Sequence, residues 1–137
     1  MNNIYFLVEG KTEKIIYSQW LKFLLPQFFE INQAEQAVKN HYYIFSGMGY
    51  PQIINHLAYA VADINEWGNY RHLVLIIDTD DETAQVKKEK INKLMGERLI
   101  VPELFYDFHI ITQTICIETW FLGNRELFFN TENRNHD

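Results

Sequence analysis

The chain holds a single cysteine, Cys116, among 137 residues. It can close no internal disulfide, which fits a reducing compartment. Apolar runs of the roughly 20 residues needed to cross a bilayer are missing. The short apolar stretch at the N-terminus has no basic segment ahead of it, so no secretory signal is expected. These absences point to a soluble cytoplasmic protein with no membrane association. Repeats, low-complexity segments and interdomain linkers are missing as well. One domain over residues 1–129 is expected, followed by a polar tail at 130–137. Basic residues are in short supply, 12 Lys and Arg against 18 Asp and Glu, for a net charge of −6. That balance argues against a broad surface that coats nucleic acid. It leaves room for a carboxylate cluster that binds a divalent cation, because such a cluster would itself make the chain acidic.

Apolar material is abundant. Hydrophobic residues make up 47% of the chain, with ten Phe and eight Tyr. That is enough for a packed core. Residues 4–8 form a continuous apolar run suited to a strand buried on both faces. Glu9 and Gly10 end it, and Thr12 then suits a helix cap with Glu13 in the first turn. Tyr17, Trp20, Leu21, Leu24, Leu25 and Phe28 follow with helical spacing, and Pro26 sits where that helix should stop. Residues 30–40 read as a polar connection. A second strand is expected at 42–45. The turn Ser46-Gly47-Met48-Gly49 comes next, and Pro51 suits the first position of a helix. Residues 73–77 are the clearest strand, stopping at Asp78-Thr79-Asp80-Asp81. A helix at 82–95, a fourth strand at 108–115 and a last short helix at 118–128 complete the pattern. Lys87, Lys88, Lys90 and Lys93 are expected on a solvated helix face.

Strands alternating with helices imply an α/β fold with a mainly parallel, four-stranded central sheet and helices on both faces. Ligands in such sheets bind beyond the carboxyl ends of the strands. Glu9, Asp78 and Glu118 follow the first, third and fourth strands, so carboxylates distant in sequence should gather at one edge. Carboxylates crowded together repel, and their pKa values rise unless a cation joins them. Mg²⁺ or Mn²⁺ would resolve the conflict, since both favour oxygen ligands. Each acid also suits a plainer role. An Asp after a buried strand is often a turn former or cap, Asp81 suits a cap, and Glu13 suits a helix start. Glu9 is harder to explain that way, because a charge directly ending an apolar strand must be paired or solvated.

Val8-Glu9-Gly10-Lys11-Thr12-Glu13 after an apolar strand resembles the first motif of the Toprim domain family. Leu75-Ile76-Ile77-Asp78-Thr79-Asp80 resembles its second, the Asp-x-Asp motif. The likeness spans most of the chain in order and spacing. It is nearest to the branch that contains the overcoming-lysogenization-defect nucleases and small bacterial proteins linked to phage defence. The resemblance implies a Rossmann-like Toprim fold and a Mg- or Mn-dependent nuclease, with Glu9, Asp78 and Asp80 catalytic. Glu13 and Glu118 would join those three as metal ligands. It implies DNA or RNA as substrate and a partner ATPase. Cys116 stands where that branch carries a hydroxyl residue. The run Ile117-Glu118-Thr119-Trp120-Phe121-Leu122 is similar to a Glu-x-Trp-x-Leu segment of the small proteins. The basic catalytic residue found downstream in that branch has no evident counterpart, leaving Lys11 or Arg125 to substitute. Lys11, Gly47 and Gly49 are candidates for phosphate binding, although a tight turn explains the glycines equally well. A phosphoryl-transfer enzyme acting on a nucleotide, and a non-catalytic module that binds nucleic acid or a partner, remain alternatives.

Other signals are weaker. Gly10-Lys11-Thr12 resembles the end of a P-loop, but the position of the earlier glycine is Tyr5, inside a strand. His41, His56, His72, His109 and His136 show no metal-ligand spacing with one another or with Cys116.

Overall fold

The computed structural model describes residues 2–113. Among the described residues there are five strands and three α-helices, in the order β1 (Ile4–Val8), α1 (Lys11–Leu24), β2 (Phe29–Glu30), β3 (His41–Ser46), α2 (Gln52–Trp67), β4 (His72–Asp78), α3 (Ala84–Glu97) and β5 (Asp107–Gln113). The strands form one sheet, all parallel, in the order β2-β3-β1-β4-β5. Among the described residues the sheet thus has five strands, not the four expected. The extra one, β2, is only two residues long and is too short to show a period of two. The stretch read as a polar connection contains the end of β2 and a 3-10 turn at Ala34–Gln36, and it buries Ala34 and Ala37.

Side-chain alternation along the strands divides the core in two. Tyr5, Leu7, Leu73, Leu75 and Ile77 face α2 and α3, packing on Ile53, Ile54, Leu57, Ile64, Ile91 and Met95. Phe6, Val8, Val74 and Ile76 face the other way, with Tyr42, Ile44 and Leu21 of α1. Helices therefore cover both faces, and β1 and β4 are buried on both sides. That is why their sequences are continuous apolar runs rather than alternating ones.

Helix ends depart from the sequence reading by a few residues. α1 begins at Lys11 with Gly10 in the cap position, so Thr12 lies inside the first turn and does not cap it. α3 begins at Ala84, and its cap is Thr83, whose side chain accepts the Val86 amide; Asp81 lies upstream. Pro51 stands one position before α2, not within it. Among the described residues no helix is long and apolar enough to cross a membrane. The expected helix at 118–128, the tail at 130–137, Cys116, Glu118 and Arg125 lie outside the described residues, as do the last two positions of the expected fourth strand.

Candidate acidic site at the carboxyl ends of the strands

From β1 the chain crosses past β3 to β2, passes back to β3, then returns over β1 to β4 and continues outward to β5. The connections leaving β1 and β4 therefore diverge. The crevice between their carboxyl ends is the place where such sheets hold ligands. The register pairs Val8 with Ile76, which brings the next residues of both strands to the same level. Glu9 follows Val8, and its Oε1 accepts the backbone N–H of Asp78. Two residues 69 positions apart in sequence are thus tied together at the crevice.

The turn after β3 secures the end of β1. Gly47 N–H donates to the Val8 carbonyl and Gly49 N–H to the Glu9 carbonyl, each at 2.7 Å. Those two amides are engaged within the protein, so in this conformation the turn positions Glu9 and does not offer them to a phosphate. Gly49 has φ +83°, which favours glycine. A Cβ on Gly47 would come within 2.7 Å of Ile53 Cγ1, a buried side chain of α2.

Asp78 is held from the opposite side by β5. Gln113 Nε2 donates to Asp78 Oδ1 at 3.0 Å, and Gln113 Oε1 accepts the Tyr17 hydroxyl at 2.7 Å. The Gln113 carbonyl takes both the Thr79 amide, at 2.8 Å, and the Thr79 hydroxyl, at 3.0 Å. Burial, followed by the charges of Asp78 and Glu13, pushes the Tyr17 hydroxyl up to about 12, so Tyr17 remains a proton donor to Gln113. Glu13 itself is buried in the first turn of α1. Its carboxylate lies so close to Gly10 that a Cβ there would stand 2.7 Å from Oε1.

Asp80 adopts φ +56°, a left-handed conformation that Asp tolerates better than most residues. Its carboxylate points to the Lys87 ammonium, with Oδ2 3.6 Å from Nζ. Lys87 also lies 3.7 Å from Glu82 Oε1 and 4.0 Å above the Tyr50 ring, and Glu82 in turn pairs with Lys90. Only 2% of Lys87 is exposed, so it does not belong to the solvated face expected for the α3 lysines. Its place was legible in principle, since Lys87, Ile91 and Met95 recur every four residues and form the buried stripe of α3. Gln113, Tyr17 and Tyr50 were not assigned to the site from sequence, and no motif marks them.

The crevice shifts the titration of Glu9. Burial pushes the Glu9 carboxyl above its ordinary value, the Asp78 amide opposes that, and the charges of Asp78 and Asp80 raise it further against Lys87. The donors offered are carboxylate oxygens, hard ligands that suit Mg²⁺ or Mn²⁺. Among the described residues they are not drawn into a closed set. Among the described residues, the group of three ligand atoms lying within 4.8 Å of one another is His72, Asp107 and His109, elsewhere on the molecule. Asp80 is paired with Lys87, and its side chain is 68% exposed, which leaves it room to turn toward a stronger cation. Lys11, the first residue of α1, is exposed.

Comparison of the chain with protein-family models, with curated proteins and with solved structures gives no match.

Proposed function

We propose that the chain is a divalent-metal-dependent phosphodiesterase acting on nucleic acid, with a Rossmann-like arrangement of the Toprim type. The observation that carries this reading is the Asp78 amide bound to the Glu9 carboxylate where the connections of the sheet diverge. The resemblance of the Glu9 and Asp78-Thr79-Asp80 motifs to the Toprim family supports it. Glu9, Asp78 and Asp80 would hold Mg²⁺ or Mn²⁺, with Glu13 and Glu118 as further ligands. The raised Glu9 carboxyl fits that role, because burial first, and then the charges of Asp78 and Asp80, disfavour its ionised form, which a bound cation would favour. Bound there, the ion supplies a Lewis acid for a phosphoryl oxygen and lowers the pKa of an attacking water.

The chain's own groups do the rest. Gln113 fixes the orientation of Asp78, and the Gly47–Gly49 turn fixes the backbone of Glu9. Lys87 is the candidate basic residue, in place of Lys11 or Arg125. Shut away from water, its ammonium stabilises phosphate charge more strongly than an exposed lysine would. It also releases Asp80 when a phosphate or a metal competes for either partner.

The test is cleavage of DNA and RNA by the purified chain with Mn²⁺, with Mg²⁺ and with chelator. Cleavage should require metal and should fall at least ~100-fold in Glu9→Gln and in Asp80→Asn. Equal cleavage in chelator, or in the double variant, overturns the reading. Turnover of nucleotides without cleavage of polynucleotide would reassign the same site to phosphoryl transfer on a small substrate. One observation favours a second reading. Lys87 already bridges Asp80 and Glu82, so the acids have a built-in counter-ion. A non-catalytic module that binds nucleic acid or a partner ATPase would need no more than that. Such a module would show no Mn²⁺ uptake that Glu9→Gln and Asp80→Asn abolish.

A further inference from the structure

A second group of ligands lies at the opposite end of the sheet. His72 opens β4, and Asp107 and His109 stand on the edge strand β5. The register pairs His72 with Asp107 and Val74 with His109, so all three side chains leave the same face of the sheet. Their spacing along the chain hides this, because parallel pairing alone brings residues 37 positions apart into contact. The histidines therefore do come together, contrary to the expectation from their sequence spacing.

The geometry points to a transition-metal site of the zinc type formed by His72, Asp107 and His109. His72 Nδ1 lies 3.2 Å from His109 Nε2 and 3.9 Å from Asp107 Oδ2. One ligand atom from each residue falls within 4.8 Å of the other two. Zinc binds imidazole nitrogen at about 2.0–2.1 Å in a tetrahedron, which sets its ligands ~3.3 Å apart. The two nitrogens already stand at that separation. The aspartate is the more distant ligand, and with its side chain 70% exposed it has room to turn inward. Two imidazoles and a carboxylate favour Zn²⁺ and its neighbours over Mg²⁺, which prefers oxygen alone.

The backbone holds the two strands in place. The Arg71 amide donates to the Asn3 carbonyl at 2.9 Å, and the Asp107 amide donates to the Arg71 carbonyl at 2.9 Å. Asn3 is fully buried, and its side chain bonds the Asn69 carbonyl and the His41 amide. Ligands mounted on paired strands lose little freedom on binding. Three protein ligands leave the fourth position to solvent.

The site is separate from the acidic crevice. Five residues of β4 lie between His72 and Asp78, and the six steps span about 20 Å at the rise of a strand. Two metals that act on one phosphodiester stand about 4 Å apart. An ion at His72 would therefore join the edge strand β5 to β4 and take no part in chemistry at the crevice.

The test is zinc titration of the tag-free chain by calorimetry, in millimolar Mg²⁺, with the thermal midpoint followed in parallel. One Zn²⁺ should bind with a Kd of roughly 10 µM or tighter and raise the midpoint. Affinity should fall at least ~100-fold in His72→Ala and in His109→Ala, and less in Asp107→Asn. The acidic-edge variant Glu9→Gln with Asp80→Asn should bind zinc as the parent chain does. Unliganded melting and circular dichroism establish that each variant is folded. Three results overturn the site: no zinc binding, binding unchanged when both histidines are replaced, or binding lost in the acidic-edge variant.

Discussion

A lysine ammonium whose stem is shut in the core must be solvated by something other than water. At Lys87 that is Asp80, Glu82 and the face of Tyr50. Lys87→Met keeps the apolar stem. Because Asp80 remains well exposed, the lost pair should change stability by no more than about 1 kcal/mol. If Lys87 serves the proposed reaction, metal-dependent cleavage should nevertheless drop by roughly 100-fold. Urea unfolding and a cleavage assay on the same preparation separate the two effects. Glu9 offers a test through pH. Its carboxyl is raised in the folded chain, first by burial. Folding therefore takes up a proton between the ordinary carboxylate range and the raised value. Stability falls as pH climbs through that interval and stays lower above it. Glu9→Gln removes the penalty and still leaves an oxygen to accept the Asp78 amide. The variant should melt above the parent chain near pH 8 and coincide with it near pH 4, within about a degree. A parent chain that melts highest at the alkaline end would contradict the assignment.

At the scale of the element, the site depends on three local devices. Thr83 caps α3, accepting the Val86 amide at 3.2 Å, and so fixes the helix that carries Lys87. Thr83→Ala should cost about 1 kcal/mol in urea unfolding, and Thr83→Asn much less. The turn after β3 has no space for a side chain at Gly47. There a Cβ would meet Ile53 Cγ1 at 2.7 Å and the Ile53 Cα at 3.3 Å. Gly47→Ala should cost about 1–3 kcal/mol. It should also weaken the metal binding proposed at Glu9, because the same turn holds the Glu9 carbonyl. The third device is the end of β5. Gln113 links Tyr17 of α1 to Asp78 of β4. Tyr17→Phe removes one hydroxyl and leaves the Gln113–Asp78 contact intact, so it should affect the proposed cleavage less than Gln113→Ala does.

For the whole molecule, β4 is the central support. Leu73, Leu75 and Ile77 are completely buried against α2 and α3 while Val74 and Ile76 face the α1 layer. Leu75→Ala should cost about 2–5 kcal/mol, read as a lower urea midpoint with an unchanged slope. A ligand that binds the folded chain alone adds RT ln(1 + [L]/Kd), about 2.7 kcal/mol at 100 times Kd. If the crevice holds the proposed ion, Mn²⁺ should therefore raise the thermal midpoint of the parent chain. Chelator should remove the rise, and Glu9→Gln with Asp80→Asn should lose the part that belongs to the crevice.

How much could be read beforehand follows from what each feature depends on. Runs buried on both faces declare themselves locally, so residues 4–8 and 73–77 mark β1 and β4, and the acids ending them mark the edge where Glu9 and Asp78 meet. The helical repeat from Tyr17 to Phe28 likewise revealed α1. By itself, then, the chain determines the alternation of its elements, the parallel sheet and the end at which acids gather, because these rest on periodicity and on the cost of burying charge. Partners across strands depend on register, which local sequence does not encode. Only the tertiary structure decides that Asp78 binds Glu9, that Gln113 clamps Asp78 and that His72 meets His109. The same holds for Lys87. Its four-residue repeat with Ile91 and Met95 shows that it faces inward, but only the packing of α3 beside Asp80 and Tyr50 makes that burial tolerable, by giving the ammonium opposite charge and an aromatic face in place of water.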